Sequence, residues 1–217
     1  MALVLYAHPF ASYCWKVLIA LHENDTPFEY RLVDDPRNFA ELAALWPMKK
    51  FPVLVDDDAT LIESSVIIEY LQLRHPGPVQ LMPGSAEAAL QARFMDRCFD
   101  NYVMTPMQKV VGDALRAPEA RDPHGVAEAR GQLGQAYAWL ESVLGDRTWA
   151  TGGNFSLADC AAAPSLFYAD WVHEIDRQYA RLRSYRARLL ARPSIARVVD
   201  EARPYRKLFP LGAPERD

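Results

Sequence analysis

The feature that most restricts this chain is a break in composition between Arg74 and Ser85. There His75-Pro76-Gly77-Pro78 and Met82-Pro83-Gly84-Ser85 place three prolines and two glycines within ten residues. Neither a helix nor a central strand runs through such a stretch, because proline removes a donor and glycine gives up conformational restraint. The chain on either side must therefore build its elements separately. We expect residues 1–76 to form one domain, 77–86 a linker and 87–217 a second domain.

The two sides carry different periodicities. In the first, Leu3-Val4-Leu5-Tyr6 is a short apolar run ended by Pro9, the pattern of a buried strand, and Val17, Leu18, Ala20 and Leu21 then recur at helical spacing. Phe28 to Val33 alternates as a second strand, and Phe39, Leu42, Ala43 and Leu45 mark a short helix. Pro52-Val53-Leu54-Val55 and Thr60-Leu61-Ile62 flank the acidic turn Asp56-Asp57-Asp58 as a hairpin, and a third helix follows through Val66, Ile67, Tyr70 and Leu71. The order is βαβ then ββα. Beyond the break the pattern is helical throughout. Leu90, Phe94, Cys98 and Tyr102 recur every fourth residue, a helix is expected from Glu87 to Val111, and Val126, Ala129, Leu133, Ala136, Tyr137, Leu140 and Leu144 form a bundle stripe. The fold class is α/β plus all-α.

Composition narrows the function classes. Half of the 217 residues are hydrophobic and the net charge is −4, which fits a globular chain and gives no basic surface for nucleic acid. The acidic excess lies in the first 85 residues. The arginine-rich stretch from Arg177 to Lys207 interleaves with Leu182, Tyr185, Leu189 and Leu190 and reads as an amphipathic helix with a solvated cationic face. The amino terminus lacks the basic-then-apolar pattern of a leader, and no run reaches the ~20 apolar residues of a membrane span, so a cytoplasmic protein without a membrane partner is expected. Cys14, Cys98 and Cys160 are too widely spaced for a metal knuckle and odd in number, which fits reduced thiols and no metal.

Three places suit chemistry. Ala11-Ser12-Tyr13-Cys14 opens the first helix directly after a strand, where free N–H groups and the positive end of the helix dipole favour an anion; Ser12 also suits an N-cap. Phe51-Pro52 stands before a strand, and a cis bond there would turn the Phe51 main chain outward. Glu63-Ser64 precedes the third helix, where Ser64 suits either a cap or the carboxylate of a ligand whose ammonium meets Glu63.

With Lys16 to Leu21, Trp46 to Leu54, Leu61 to Leu71 and the capping-box sequence Asn154-Phe155-Ser156-Leu157-Ala158-Asp159, this arrangement resembles the cytosolic glutathione transferase superfamily over nearly the whole chain. The likeness is to its bacterial, serine-like members. It implies a thioredoxin-like first domain that binds glutathione as co-substrate and a helical second domain that shapes the pocket for a small hydrophobic electrophile. The Phe51 main chain before Pro52 would pair with the cysteinyl part of the tripeptide, Glu63 and Ser64 would hold its γ-glutamyl end, and Lys50, with Lys49 nearby, its glycyl carboxylate. Tyr102, Met104, Met107, Tyr168 and Trp171 would face the second substrate, and the helix from Glu87 to Val111 would carry a homodimer.

Catalysis by this route requires lowering a thiol pKa of about 8.5 by roughly 2 units, or about 2.7 kcal/mol. A hydroxyl donor to a charged group contributes about 1.5–3 kcal/mol and a helix N-terminus up to about 2. Ser12 is the expected donor, with Tyr6 and Cys14 as weaker candidates, since Ala11 occupies the position of the serine in the serine-type classes. That departure motivates a second reading, a non-catalytic binding or regulatory protein on the same fold. A third, a thiol-disulfide oxidoreductase, would need a reactive Cys14.

Overall fold

The run at the amino terminus becomes β1 (Leu3–Ala7), the second of four strands in the order β2-β1-β3-β4. A computed structural model describes residues 3–217; Met1 and Ala2, which begin the segment tested for a leader, lie outside the described residues. Strand β1 runs parallel to β2 (Phe28–Leu32), with Leu5 opposite Tyr30, and antiparallel to β3 (Val53–Asp56), with Leu5 opposite Leu54. The acidic turn closes the hairpin to β4 (Ala59–Leu61), with Asp57 at a φ of 50°.

Alternation divides the sheet's two faces. Leu3, Leu5 and Ala7 join the main core beneath α1 (Ser12–Glu23) and α3 (Ser64–Arg74). Tyr6 faces the other way and packs with Val33, Leu42 and Val53 beneath α2 (Pro36–Leu45). Helix α1 is buried without interruption from Cys14 to Leu21 because the sheet covers one side and α7 (Leu157–Val172) the other. A helix covered on both sides has no room for a polar stripe.

The linker is tied down. The Asn24 amide donates to the Val79 carbonyl at 3.1 Å and accepts from its N–H at 2.8 Å, while Gln72 accepts from the Leu81 N–H. Gly77 lies so close to Asn24 that a Cβ there would meet the Asn24 side chain at 2.4 Å, so the close approach requires glycine.

The helix expected from Glu87 to Val111 is observed as three pieces: α4 (Ala86–Cys98), a π-helical stretch from Phe99 to Met104, and α5 (Thr105–Ala114). Pro106 supplies the reason, since it has no N–H for the carbonyl four residues earlier and the backbone widens just before it. The Thr105 hydroxyl donates to the Asp100 carbonyl at 3.0 Å, five residues back. Leu90, Phe94 and Tyr102, which share the four-residue repeat, are 63%, 49% and 61% exposed. That repeat is therefore a surface stripe and only Cys98 joins the core side.

Helix α6 (Pro123–Leu144) buries the expected Ala129, Leu133, Ala136, Tyr137, Leu140 and Leu144, and Asp122 caps it by accepting from the Gly125 N–H. The capping box at α7 is formed: Asp159 accepts from the Ser156 N–H at 2.9 Å, and also from the Ala150 N–H and the Tyr185 hydroxyl. Helices α8 (Ala180–Ala191) and α9 (Pro193–Ala202) close the bundle, with Leu182, Tyr185 and Leu189 buried beneath the arginines. A 3₁₀ turn from Arg203 to Leu208 then leads the tail back over α7. Among the described residues no helix is long and apolar enough to cross a membrane.

Candidate active site

Where β1 ends, the chain turns through His8 and enters α1. The Phe10 N–H donates to His8 Nδ1 at 3.0 Å, and the Trp15 indole N–H donates to the Pro9 carbonyl at 2.6 Å. These bonds fix the turn, and the cap of α1 is Ala11, which has no side-chain acceptor. Ser12 is the first helical residue and does not cap. Its hydroxyl makes no hydrogen bond among the described residues. Likewise Glu63, at a φ of 67°, is the residue before α3, and Ser64 is the first within it, so Ser64 does not cap either.

The Phe51-Pro52 bond is cis. Phe51, Lys50 and Tyr13 stand where two cavities meet. The larger, about 490 Å³, begins at Ala11, Ser12 and Tyr13 and is walled by Met107, Val111 and Leu115 of α5 and its end, Tyr168 of α7, and Leu208 and Phe209 of the tail. The smaller, about 260 Å³, runs from the same Tyr13, Lys50 and Phe51 to Pro52, Glu63 and Ser64 on one side and Arg97, Asp100 and Asn101 on the other. A charged, narrow end thus continues into a wider apolar one. Tyr13, in the first turn of α1, lines both.

The electrostatics follow from burial. Tyr13 has its phenol pushed up to about 12, chiefly by desolvation and then by Asp100, so it stays protonated at neutral pH. Asp100 is 4% exposed; its Oδ2 accepts from Lys16 at 2.7 Å and from Arg97 at 2.5 Å, while its Oδ1 has no hydrogen-bond partner among the described residues. Burial raises the Asp100 carboxyl and Lys16 opposes that rise.

The structure sorts the residues singled out in the sequence. Ser12, Met107 and Tyr168 line the apolar part, Pro52, Glu63 and Ser64 the polar part, and Lys50 and Phe51 both. Tyr168 is 3% exposed and its hydroxyl donates to the Phe10 carbonyl at 3.0 Å. Tyr6 lies on the far face of the sheet, donating to Glu41 at 2.8 Å and accepting from Arg31 at 3.1 Å. Cys14 is fully buried and its thiol is pushed up to about 12 by desolvation. Met104 is wholly buried, Tyr102 projects from the surface and Trp171 packs on Phe209 behind the cavity wall. These five line neither cavity. The π stretch changes the angular phase at Tyr102 and Met104, which separates them from Met107.

Sequence reading missed Tyr13, Arg97, Asp100, Asn101 and the tail residues. For Asp100 a signal existed: Asp96, Arg97 and Asp100 share one stretch of helix facing a lysine, Lys16, inside an apolar helix. For Leu208 and Phe209 there was none, because nothing local says where a tail returns. Among the described residues no group of three or more His, Cys, Asp and Glu side chains is placed to hold a metal.

Residues 5–79 match the family model of the glutathione S-transferase N-terminal domain and residues 123–188 that of the C-terminal domain. A "Stringent starvation protein A homolog" of Coxiella burnetii is 28% identical over 202 residues, covering 92% of each chain. Human "Glutathione S-transferase theta-1" is 29% identical over 183 residues, 77% of this chain and 73% of that one. A crystal structure of a glutathione S-transferase from Methylobacterium radiotolerans, in complex with glutathione sulfonate, superposes with a TM-score of 0.79 at 28% identity, over 92% of this chain and 95% of that one. With both domains matched in order on a thioredoxin-like unit followed by a helical one, the chain belongs to the glutathione S-transferase family.

Proposed function

We propose that the protein binds glutathione along the continuous cleft and activates its thiol with Ser12 for attack on a small hydrophobic electrophile. The observation that carries this reading is the Ser12 hydroxyl, without a hydrogen-bond partner among the described residues, which lines the apolar part of the cleft at the first turn of α1 beside Tyr13, the residue shared with the charged part. The γ-glutamyl end would lie by Glu63 and Ser64, with Asp100 facing its ammonium. The Phe51 main chain would pair with the cysteinyl unit and Lys50, with Lys49, would meet the glycyl carboxylate.

A thiolate at that junction accepts from the Ser12 hydroxyl and is stabilised by the N-terminal N–H groups of α1, which together supply the ~2.7 kcal/mol needed for ionisation near neutral pH. The thiolate then displaces or adds to the electrophile's carbon, whose apolar body is covered by Met107, Val111, Tyr168 and Phe209. The exposed stripe of Leu90 and Phe94 suits the face of a homodimer. A cytoplasmic location agrees with thiol chemistry and with three unpaired cysteines.

Titrating the thiolate absorbance of bound glutathione tests the reading: its pKa is expected about two units below the free value, and to return toward it in Ser12→Ala. No shift on binding, or one unchanged in Ser12→Ala, overturns the role of Ser12. Ala11 at the cap favours the alternative, a non-catalytic binding protein. Failure of immobilised glutathione to retain the protein would select it.

A further inference from the structure

We propose that His8, oriented by Asp34, is a positioning residue for thiol activation: its imidazole holds the turn that delivers Ser12 and the start of α1 to the cleft. This deepens the reading above, in which Ser12 activates the glutathione thiol, and rests on it. His8 lines neither of the two cavities, so it acts through the chain and not on a substrate.

The turn from Pro9 to Ala11 carries the argument. Phe10, Ala11 and Ser12 line the apolar cavity one after another, so a shift of this turn moves the cavity wall and the hydroxyl together. Ala11, the cap of α1, has no side-chain acceptor to hold the helix entry. The entry is held from outside the helix instead. The Phe10 N–H donates to His8 Nδ1 at 3.0 Å and the Ala11 N–H to the His8 carbonyl at 3.0 Å, while the Tyr168 hydroxyl donates to the Phe10 carbonyl at 3.0 Å. Both main-chain polar groups of Phe10 are thus satisfied by side chains, one from each domain.

The first of these bonds fixes the state of the ring. A ring nitrogen that accepts from an N–H keeps its lone pair, so the proton of His8 sits on Nε2. Asp34 Oδ2, 3.3 Å from Nε2, accepts from that N–H and holds the tautomer. His8 is 7% exposed and its ring meets that of Tyr205 edge-on, with centroids 4.7 Å apart, so it is packed in the orientation the bond requires.

Substitution separates the acceptor from the ring. His8→Asn loses the ring but keeps an acceptor for the N–H two residues on, as in an Asx turn, whereas His8→Leu keeps apolar bulk and loses the acceptor. Thiolate absorbance of bound glutathione and steady-state kinetics with a chloronitrobenzene acceptor read the outcome. We expect His8→Leu to raise the thiol pKa of bound glutathione by about one unit and to lower kcat about tenfold, with KM for glutathione within about twofold. His8→Asn should stay within about twofold of the parent. Asp34→Ala, at a half-exposed carboxylate, should lower kcat about threefold. In a Ser12→Ala background His8→Leu should leave the thiol pKa where Ser12→Ala puts it, since it acts through Ser12. A parent-like His8→Leu or Asp34→Ala, a His8→Asn as impaired as His8→Leu, a change in KM alone, or an equal effect with and without Ser12 would each overturn the role of His8. An unchanged thiol pKa in Ser12→Ala overturns the reading beneath it instead. Melting curves check folding, and if His8→Leu does not fold, His8→Asn and Asp34→Ala decide by the same criteria.

Discussion

Lys16 Nζ lies 2.7 Å from Asp100 Oδ2, joining the first helix of the sheet domain to the π stretch of the helical domain with both side chains buried. Asp96 Oδ1 also accepts from Lys16 at 2.7 Å, and Ser65 of α3 from the same ammonium at 2.9 Å. Arg97 caps the cluster from the solvent side. Removing the lysine leaves two buried carboxylates facing each other. Lys16→Met should destabilise the protein by about 3–5 kcal/mol in urea titrations, and adding Asp96→Asn and Asp100→Asn should restore part of that loss. A single Lys16→Met variant as stable as the parent would show that the cluster holds nothing together.

The α7 capping box concentrates several bonds on one carboxylate. Asp159→Ala strands the Ser156 and Ala150 N–H groups and the Tyr185 hydroxyl inside the core, so a loss of about 3 kcal/mol or more is expected, visible as a lower urea midpoint. Asp159→Asn, which keeps an acceptor oxygen, should cost less.

Cys14, Cys98 and Cys160 are buried and burial raises all three thiols, Cys14 to about 12. Alkylation of the native protein by iodoacetamide at pH 7.5 should therefore be slow and should quicken only on unfolding. Because the folded pKa is raised, the contribution of Cys14 is whole below the unfolded value near 8.5 and is lost as pH rises toward 12, at up to about 1.4 kcal/mol per pH unit. Cys14→Ala should flatten that alkaline slope. Rapid labelling of native Cys14 would contradict the burial.

Glu63→Gln and Ser64→Ala should weaken glutathione binding, by about tenfold for Glu63→Gln, with little change in kcat at saturation. Ser12→Ala should do the reverse, lowering kcat about 10- to 100-fold with a modest change in affinity. Steady-state kinetics with a chloronitrobenzene acceptor separates the two patterns. Equal effects on both constants at all three positions would argue against the division of roles along the cleft.

The exposed pair Leu90 and Phe94 is tested by association. If the proposed homodimer forms through this face, Leu90→Asp together with Phe94→Asp should convert it to a monomer in light-scattering chromatography, without unfolding it, since neither side chain is core; a parent protein that already runs as a monomer would overturn the homodimer.

Much of this molecule was legible because it is written in local chemistry. Strand runs, the hairpin turn, the Pro/Gly break, the bundle stripe of α6 and the capping box at Ser156 depend on residues a few positions apart, and each formed as the pattern requires. What the sequence by itself determined is thus the order and type of the elements, and the placing of Ser12, Phe51-Pro52 and Glu63-Ser64 at turns. Only the tertiary structure decided that Ser12 begins the helix instead of capping it, that Asp100 meets both Lys16 and the cleft, that Met107 lines the cavity while Met104 is buried, and that Leu208 and Phe209 close its apolar end. These outcomes rest on a phase change at a π stretch and on contacts between elements more than a hundred residues apart, and neither leaves a local periodicity to read.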